Sequence, residues 1–390
     1  MRWSVGGVIL LDGIFYTVLT PMLPGLTAAF RLSEAAAGVL SACYAIGAFL
    51  GTPPSLAFVS SWGPRAGVAA GTLLFVLSSV LFGVARDPVP LFVGRLGQGL
   101  GAAFTWTAGL SWMLAVAAPE RRGRAIGAVE SVSLVGSLMG PAVGATAASI
   151  GRAPVFLAAA LAAGVLLAGV ARAPAILLPG GCRVQDLRSS VSSPELGAAM
   201  WLLALAGLLV GTISVLMPLR LAALGVGASG IGATFLGAAV ALAVVNPVLG
   251  VSQDRGWVHA AVFGALALSA GSIASLALPV GAVTAAVLTA ISTFAVGMIW
   301  TPAIAMLTRA CEAARMSLAV SAALLSLCWA PALTVGAVAA SAIAGSIGNA
   351  PVMLGGALLC VAAVLRLAAA PAVIVDPAQR ARIPSRSRSQ

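Results

Sequence analysis

Apolar runs of about 20 residues recur along this chain from Ser4 to Leu367, and their recurrence constrains the fold more than any other feature. A helix rising 1.5 Å per residue needs about 20 residues to cross a hydrocarbon core of roughly 30 Å. Lipid offers no hydrogen-bond partners, so every backbone N–H and C=O in such a run has to be satisfied within the protein, as a helix does. Twelve spans are predicted, at residues 4–26, 36–59, 67–85, 89–115, 123–149, 153–175, 197–221, 229–252, 259–279, 281–308, 317–345 and 349–370. Their short connections make consecutive helices antiparallel neighbours. Only 8% of the residues are charged, against about 25% in an ordinary soluble domain. The chain therefore reads as an all-α polytopic membrane protein. Its first run is longer than the apolar stretch of a signal peptide and no small-residue cleavage site follows, so it is expected to stay as a span.

All 21 basic residues are arginine, and cytoplasmic loops carry the arginine excess of a membrane protein. With the N-terminus inside, most fall in cytoplasmic segments, and only Arg31, Arg86, Arg152 and Arg220 fall outside. This predicts a multi-pass protein of a cell membrane, of the bacterial inner-membrane kind, with both termini cytoplasmic. The net charge of +11 is divided among short loops instead of forming one stripe, so nucleic acid is not an expected partner. Cys43, Cys182, Cys311, Cys328 and Cys360 form no CxxC and read as free thiols. No P-loop occurs, and "GVGASG" at 225–230 lacks a preceding strand, so no nucleotide cofactor is expected. His259 is the single histidine and has no cluster to hold a metal with. No nucleophile elbow is present, which argues against an enzyme.

The longest polar interruption follows the sixth span. It divides the chain into a six-helix half at 1–178, a cytoplasmic linker at 179–196, a second six-helix half at 197–370 and a polar, arginine-rich tail at 371–390 expected to be disordered. The halves look like diverged copies: "TVLTPML" in span one resembles "SVLMPLR" in span seven, pairing Pro21 with Pro218, and Pro53 pairs with Pro247 after spans two and eight. Internal repeats of this kind build many secondary transporters, with a substrate site near the midplane between them.

Span five carries Gly127, Gly136, Gly140, Pro141, Gly144 and Ala145. Glycines so spaced let another helix approach closely, and a proline bends the span. The pattern resembles the antiporter motif of the twelve-span drug:proton exporters of the major facilitator superfamily, with Ala145 where that motif ends in glycine. "GRLGQGLGAAF" in span four, with Arg95, Gln98 and Gly99, resembles the superfamily's motif with a membrane-embedded arginine. The cytoplasmic gating motif resembles Gly250, Asp254 and Arg255 in the second half; in the first half only Gly63 and Arg65 remain recognisable, with Ser60 at the aspartate position. "LLDGIFYTVLTP" is similar to the first helix of the branch that includes the vesicular monoamine transporters. The resemblance implies the major facilitator fold, a small-molecule substrate, exchange against protons, and function as a monomer in the bilayer. An uptake or facilitated-diffusion carrier on the same scaffold is the alternative.

Asp12 lies within an apolar run, where a charge costs about 2.5–3.5 kcal/mol on insertion scales. Asp12, Tyr16 and Thr20 recur at i+4 and share a helix face, which should look into the bundle. Glu130 lies at a similar depth in span five, so the two carboxylates could interact if spans one and five are neighbours. Asp12 reads as the principal proton or amine site, or else as a fixed partner of Arg95; Arg95 and Gln98 read as modulators or as a static structural anchor. Trp106, Trp112, Trp300 and Trp329 lie away from span ends and could hold a lipophilic cation by cation–π attraction or pack against lipid. Trp3, Trp62 and Trp257 sit at span ends as interface anchors.

Overall fold

Proline and glycine decide where the apolar runs bend or break. In the computed structural model, which describes residues 2–116, 122–174, 194–254, 258–313 and 318–369, the first run is two helices, α1 (Arg2–Thr17) and α2 (Leu19–Phe30), bent by 49°. Pro21 causes the break. It lacks the N–H that would bond the Thr17 carbonyl, and a proline is tolerated in the first turn of a new helix. The next two predicted runs form one assigned stretch, α3 (Glu34–Val84), interrupted at Gly63, whose φ of 80° is one that glycine reaches without a Cβ clash. Ser33 caps its start by accepting from the Ala36 N–H at 3.2 Å.

The remaining helices are α4 (Pro88–Val116), α5 (Arg122–Ile150), α6 (Arg152–Ala171), α7 (Pro194–Ala223), α8 (Ala228–Asp254), α9 (Val258–Ser275), α10 (Ala282–Ala313), α11 (Leu318–Ile347) and α12 (Asn349–Ala369). Among the described residues, eight helices are long and apolar enough to cross a membrane, or nine when the bent α1–α2 pair counts as one span. Helix α7 begins at Pro194, inside the segment expected to be linker. The rest of that segment and the tail lie outside the described residues. Trp3 and Trp62 are 93% and 70% exposed, as residues at an interface would be.

Buried side chains fall into several cores, and one of them, around Phe15, Phe82 and Phe156, also takes in Val215 of α7 and Ala337 of α11. A second is drawn wholly from α7 to α12, with Leu202, Leu209, Ile273 and Met353 at its centre. Another, with Val5, Val68, Trp112 and Val170, comes wholly from α1 to Ala173. A small cluster of Ala45, Ala330 and Leu333 joins the two groups of helices, flanked by Tyr16, Val210 and Trp329. Further joining contacts lie near the ends linked by the short connections at 31–33, 151, 224–227 and 348. A Cβ on Gly38 of α3 would overlap Ser341 of α11, and one on Gly232 of α8 would come within 2.9 Å of the Pro141 carbonyl and 3.0 Å of the Ala145 Cβ on α5.

Within each group the helices touch main chain to main chain. Association in lipid gains little from the hydrophobic effect and depends on close packing, which small residues permit. In the first group Gly136, Gly140 and Gly144 of α5 lie against the backbone or side chains of Leu10, Ile14, Thr17 and Val18 in the first run. In the second, Gly211 of α7 abuts the Leu333 carbonyl and Gly336 of α11 abuts that of Leu208. We expect Gly211→Val to force these helices apart, at a cost of about 1–3 kcal/mol for overpacking. Gly237→Val, which enters open space, should be neutral; thermal unfolding of both variants in detergent checks this, and equal midpoints would contradict it.

Candidate functional site

The bend in the first run frees main-chain carbonyls, and Arg95 of α4 takes two of them. Its guanidinium donates to the Phe15 carbonyl at 2.5 Å and the Tyr16 carbonyl at 2.9 Å, and also to Gln98 Oε1 at 3.1 Å. Gln98 donates onward to Ser79 Oγ at 3.3 Å, and Arg95 and Gln98 are both buried. Thr17, at the bend itself, donates from Oγ1 to the Ser137 carbonyl of α5 at 2.9 Å. Arg95 thus acts on the hinge of the first run, and the hydrogen bonds described for it do not go to Asp12.

Tyr44 of α3 stands between the two charges. Its hydroxyl donates to Asp12 Oδ1 at 2.5 Å, and its ring lies under the Arg95 guanidinium at 4.7 Å. Glycine brings these elements together: a Cβ on Gly99 of α4 would overlap the Tyr44 carbonyl. Neither motif resemblance nor helical spacing singled out Tyr44. Rarity could have done so, because Tyr16 and Tyr44 are the only tyrosines in the chain. Asp12 also lines a small cavity with Val8, Leu11, Thr72, Phe75 and Thr105.

From this cluster an aromatic string crosses to the second group of helices. The Tyr16 ring is 5.6 Å from that of Tyr44 and 5.7 Å, edge to face, from that of Trp329 on α11; Trp329 is 6.5 Å from Trp300 on α10. Asp12, Tyr16, Arg95, Gln98, Trp300 and Trp329 are therefore gathered around one seam. Trp106 is not among them: it packs with Val5, Val68 and Trp112 in the core nearer the N-terminus, and Trp112 is fully buried there.

The span-five residues divide their work. Gly136, Gly140 and Gly144 face the first run, while Pro141 and Ala145 face Gly232 of α8. The departure from the motif, an alanine at 145, is thus met by a glycine on the facing helix. Gly63 breaks α3, and Arg65 donates to the Ala173 carbonyl beyond the end of α6 at 3.1 Å. The side chain of Glu130, the side chains at Gly127, Gly250 and Asp254, and all of Arg255 lie outside the described residues.

The fold and the sequence point to one family. Over 96% of this chain and 95% of the other, the structure is similar to a bacterial homolog of the human lysosomal transporter Spinster, solved in an inward-facing and occupied conformation, with a TM-score of 0.71 and 15% identity. Residues 5–183 match the sequence profile of the Major Facilitator Superfamily. The first part of the chain, a little under half of it, thus carries the sequence pattern of that superfamily. Within it, Multidrug resistance protein 1 of Bacillus subtilis (strain 168) is 29% identical over 160 residues, 40% of this chain and 41% of that protein. A probable vesicular acetylcholine transporter-B of Danio rerio is 32% identical over 145 residues, 35% of this chain and 29% of that one. The chain therefore spans about two fifths of the Bacillus relative it matches.

Arg95→Lys keeps the charge but supplies one ammonium where a planar fork bridges two carbonyls. Its thermal unfolding midpoint in detergent should fall, corresponding to about 1.5–3 kcal/mol for charge-assisted bonds, with a smaller loss of about 1 kcal/mol for Tyr44→Phe. A midpoint unchanged by Arg95→Lys would contradict the anchoring role.

Proposed function

We propose that this protein is a proton-coupled exporter of small lipophilic cations, working by alternating access. The observation that carries the reading is the position of Asp12: a carboxylate within the first run, held by Tyr44, beside an aromatic string that crosses between the two groups of helices. Ionisable groups inside a membrane protein usually mark a substrate or ion path. An ionised Asp12 attracts a cation, with Tyr16, Trp329 and Trp300 offering ring faces to its apolar body. A protonated Asp12 has no charge with which to hold it. Proton and cation thus compete for one group, and their alternation couples the two fluxes.

The same architecture supports the mechanical half of the reading. Twelve spans follow when α1 and α2 count as one and α3 as two, divided at Gly63. They form two six-helix halves, 1–178 and 197–370, joined by the linker at 179–196 and followed by the tail at 371–390. The two cores confined to one group each, and the paired glycine seams, support two bodies that move as units. Contacts between them at Gly38 and Gly232 lie at the end away from both termini. Arginine distribution puts the termini in the cytoplasm, so these contacts close the external side, in keeping with the inward-facing Spinster homolog. The likeness to Bacillus multidrug resistance proteins supports efflux, and the proposal places the protein in a bacterial inner membrane, working as a monomer.

Arg95 links chemistry to motion in this scheme. Asp12 holds Tyr44, Tyr44 supports the guanidinium, and the guanidinium holds the hinge carbonyls of the first run. A change of charge at Asp12 is therefore felt at the bend. In inverted membrane vesicles, a lipophilic amine should collapse a preformed pH gradient through the parent protein. Asp12→Asn should lower that signal at least tenfold with insertion unchanged, and Tyr44→Phe should lower it partly. Full coupling retained by Asp12→Asn would sink the proposal.

A further inference from the structure

We propose that Asn246 and Thr301 form a hydrogen-bond-donating subsite in the second half, which takes a carbonyl or ether oxygen on the substrate. The inference rests on the cation reading of Asp12 and adds to it what the other end of the substrate carries.

Asn246 is an amide deep in α8, an apolar helix, where an unsatisfied polar group is costly. Thr301 of α10 donates from Oγ1 to Asn246 Oδ1 at 2.9 Å. That bond uses the amide's acceptor and orients its NH₂ group, which has no partner among the described hydrogen bonds and remains in a half-buried residue. The pair continues a regular contact between the two helices, since one turn earlier Gly297 of α10 meets the Leu242 side chain of α8.

Helix geometry shows which way this part of α8 looks. Val240 and Val244 are 48% and 70% exposed and mark its lipid side. Asn246 comes two residues after Val244, about 200° round the helix and so away from lipid. Gly232 marks the opposite side, because it touches Pro141 and Ala145 of α5. Asn246 lies fourteen residues beyond Gly232, within about 40° of the same direction and roughly 21 Å nearer the termini. It therefore sits on the face that looks at the first half, below the point where the halves touch. Thr301 is the next residue in the chain after Trp300, the last ring of the string that begins at Tyr44. The string thus runs from the tyrosine that holds Asp12 to the turn of α10 that carries Thr301.

With one lone pair of its oxygen taken by Thr301, Asn246 offers chiefly its N–H donors. The substrate it selects is a lipophilic cation that carries an oxygen acceptor away from its charge. Rhodamine 6G, a cation with an ester carbonyl, and tetraphenylphosphonium, a cation with no hydrogen-bonding group, separate the two contributions. By equilibrium dialysis with the purified full-length protein, Asn246→Leu should raise the Kd for rhodamine 6G about tenfold, the range of one lost hydrogen bond. Its Kd for tetraphenylphosphonium should change less than twofold, which also reports that the variant is folded. Thr301→Val, which frees the amide to rotate, should weaken rhodamine 6G alone by about threefold. An equal rise for both probes, or no rise for either, overturns the subsite. Asp12→Asn reads the other end: weakening of both probes supports the cation site, whereas unchanged binding there, with discrimination kept at Asn246, would remove the cation reading and leave the subsite standing. Failure of the parent protein to bind either probe overturns both.

Discussion

A broken helix in a membrane leaves carbonyl oxygens that no water can reach, and the donation of Arg95 to the Phe15 and Tyr16 carbonyls answers that need. Much of the site depends on this interaction. Because the arginine is committed to main chain, Asp12 is not neutralised by a fixed ion pair in the described bonds; it is held by a neutral hydroxyl, that of Tyr44. A carboxylate held in this way keeps capacity for a proton or a cation. The bend, the arginine and the acid are thus three parts of one solution to burying polar groups in an apolar medium.

Glycine makes the arrangement geometrically possible. Span four carries Gly99 against the Tyr44 carbonyl, span five carries Gly136 and Gly140 against the first run, and the second half repeats the device with Gly211 and Gly336. These seams bring backbones close enough for short side chains such as Thr17 and Ser79 to bond across them. Contacts between the halves combine two kinds: close approaches at Gly38 and Gly232, and the half-buried rings of Tyr16 and Trp329.

The sequence made the helices plain because lipid demands a long apolar run for each span, and the start of α4, α6, α8, α10 and α12 falls within a residue of expectation. The break in the first run was less visible, since Pro21 reads as apolar in a hydropathy count and acts through its missing N–H. At the site, Asp12 stood out as a charge where charges are costly. Arg95 was legible as a buried cation, but its partners were not: a main-chain carbonyl has no letter in a sequence. Tyr44 escaped because a single tyrosine in span two has no pattern, and its meaning comes from lying opposite residues 12 and 95. Trp106 misled for the converse reason. Distance from the ends of a span says that a ring is deep, without saying which side of the helix carries it.

The glycine seams also bear on how such a protein diversifies. Where two backbones touch, no side chain is available to change, so the packing inside each half resists substitution at Gly136, Gly140, Gly211 and Gly336. The rings of the string and the amide of the proposed subsite carry no such burden. On the proposed reading, a new substrate is accommodated by exchanging Tyr16, Trp300, Trp329 or Asn246 while the helices on either side stay as they are. Lineages built on this plan can keep one machine and vary its grip.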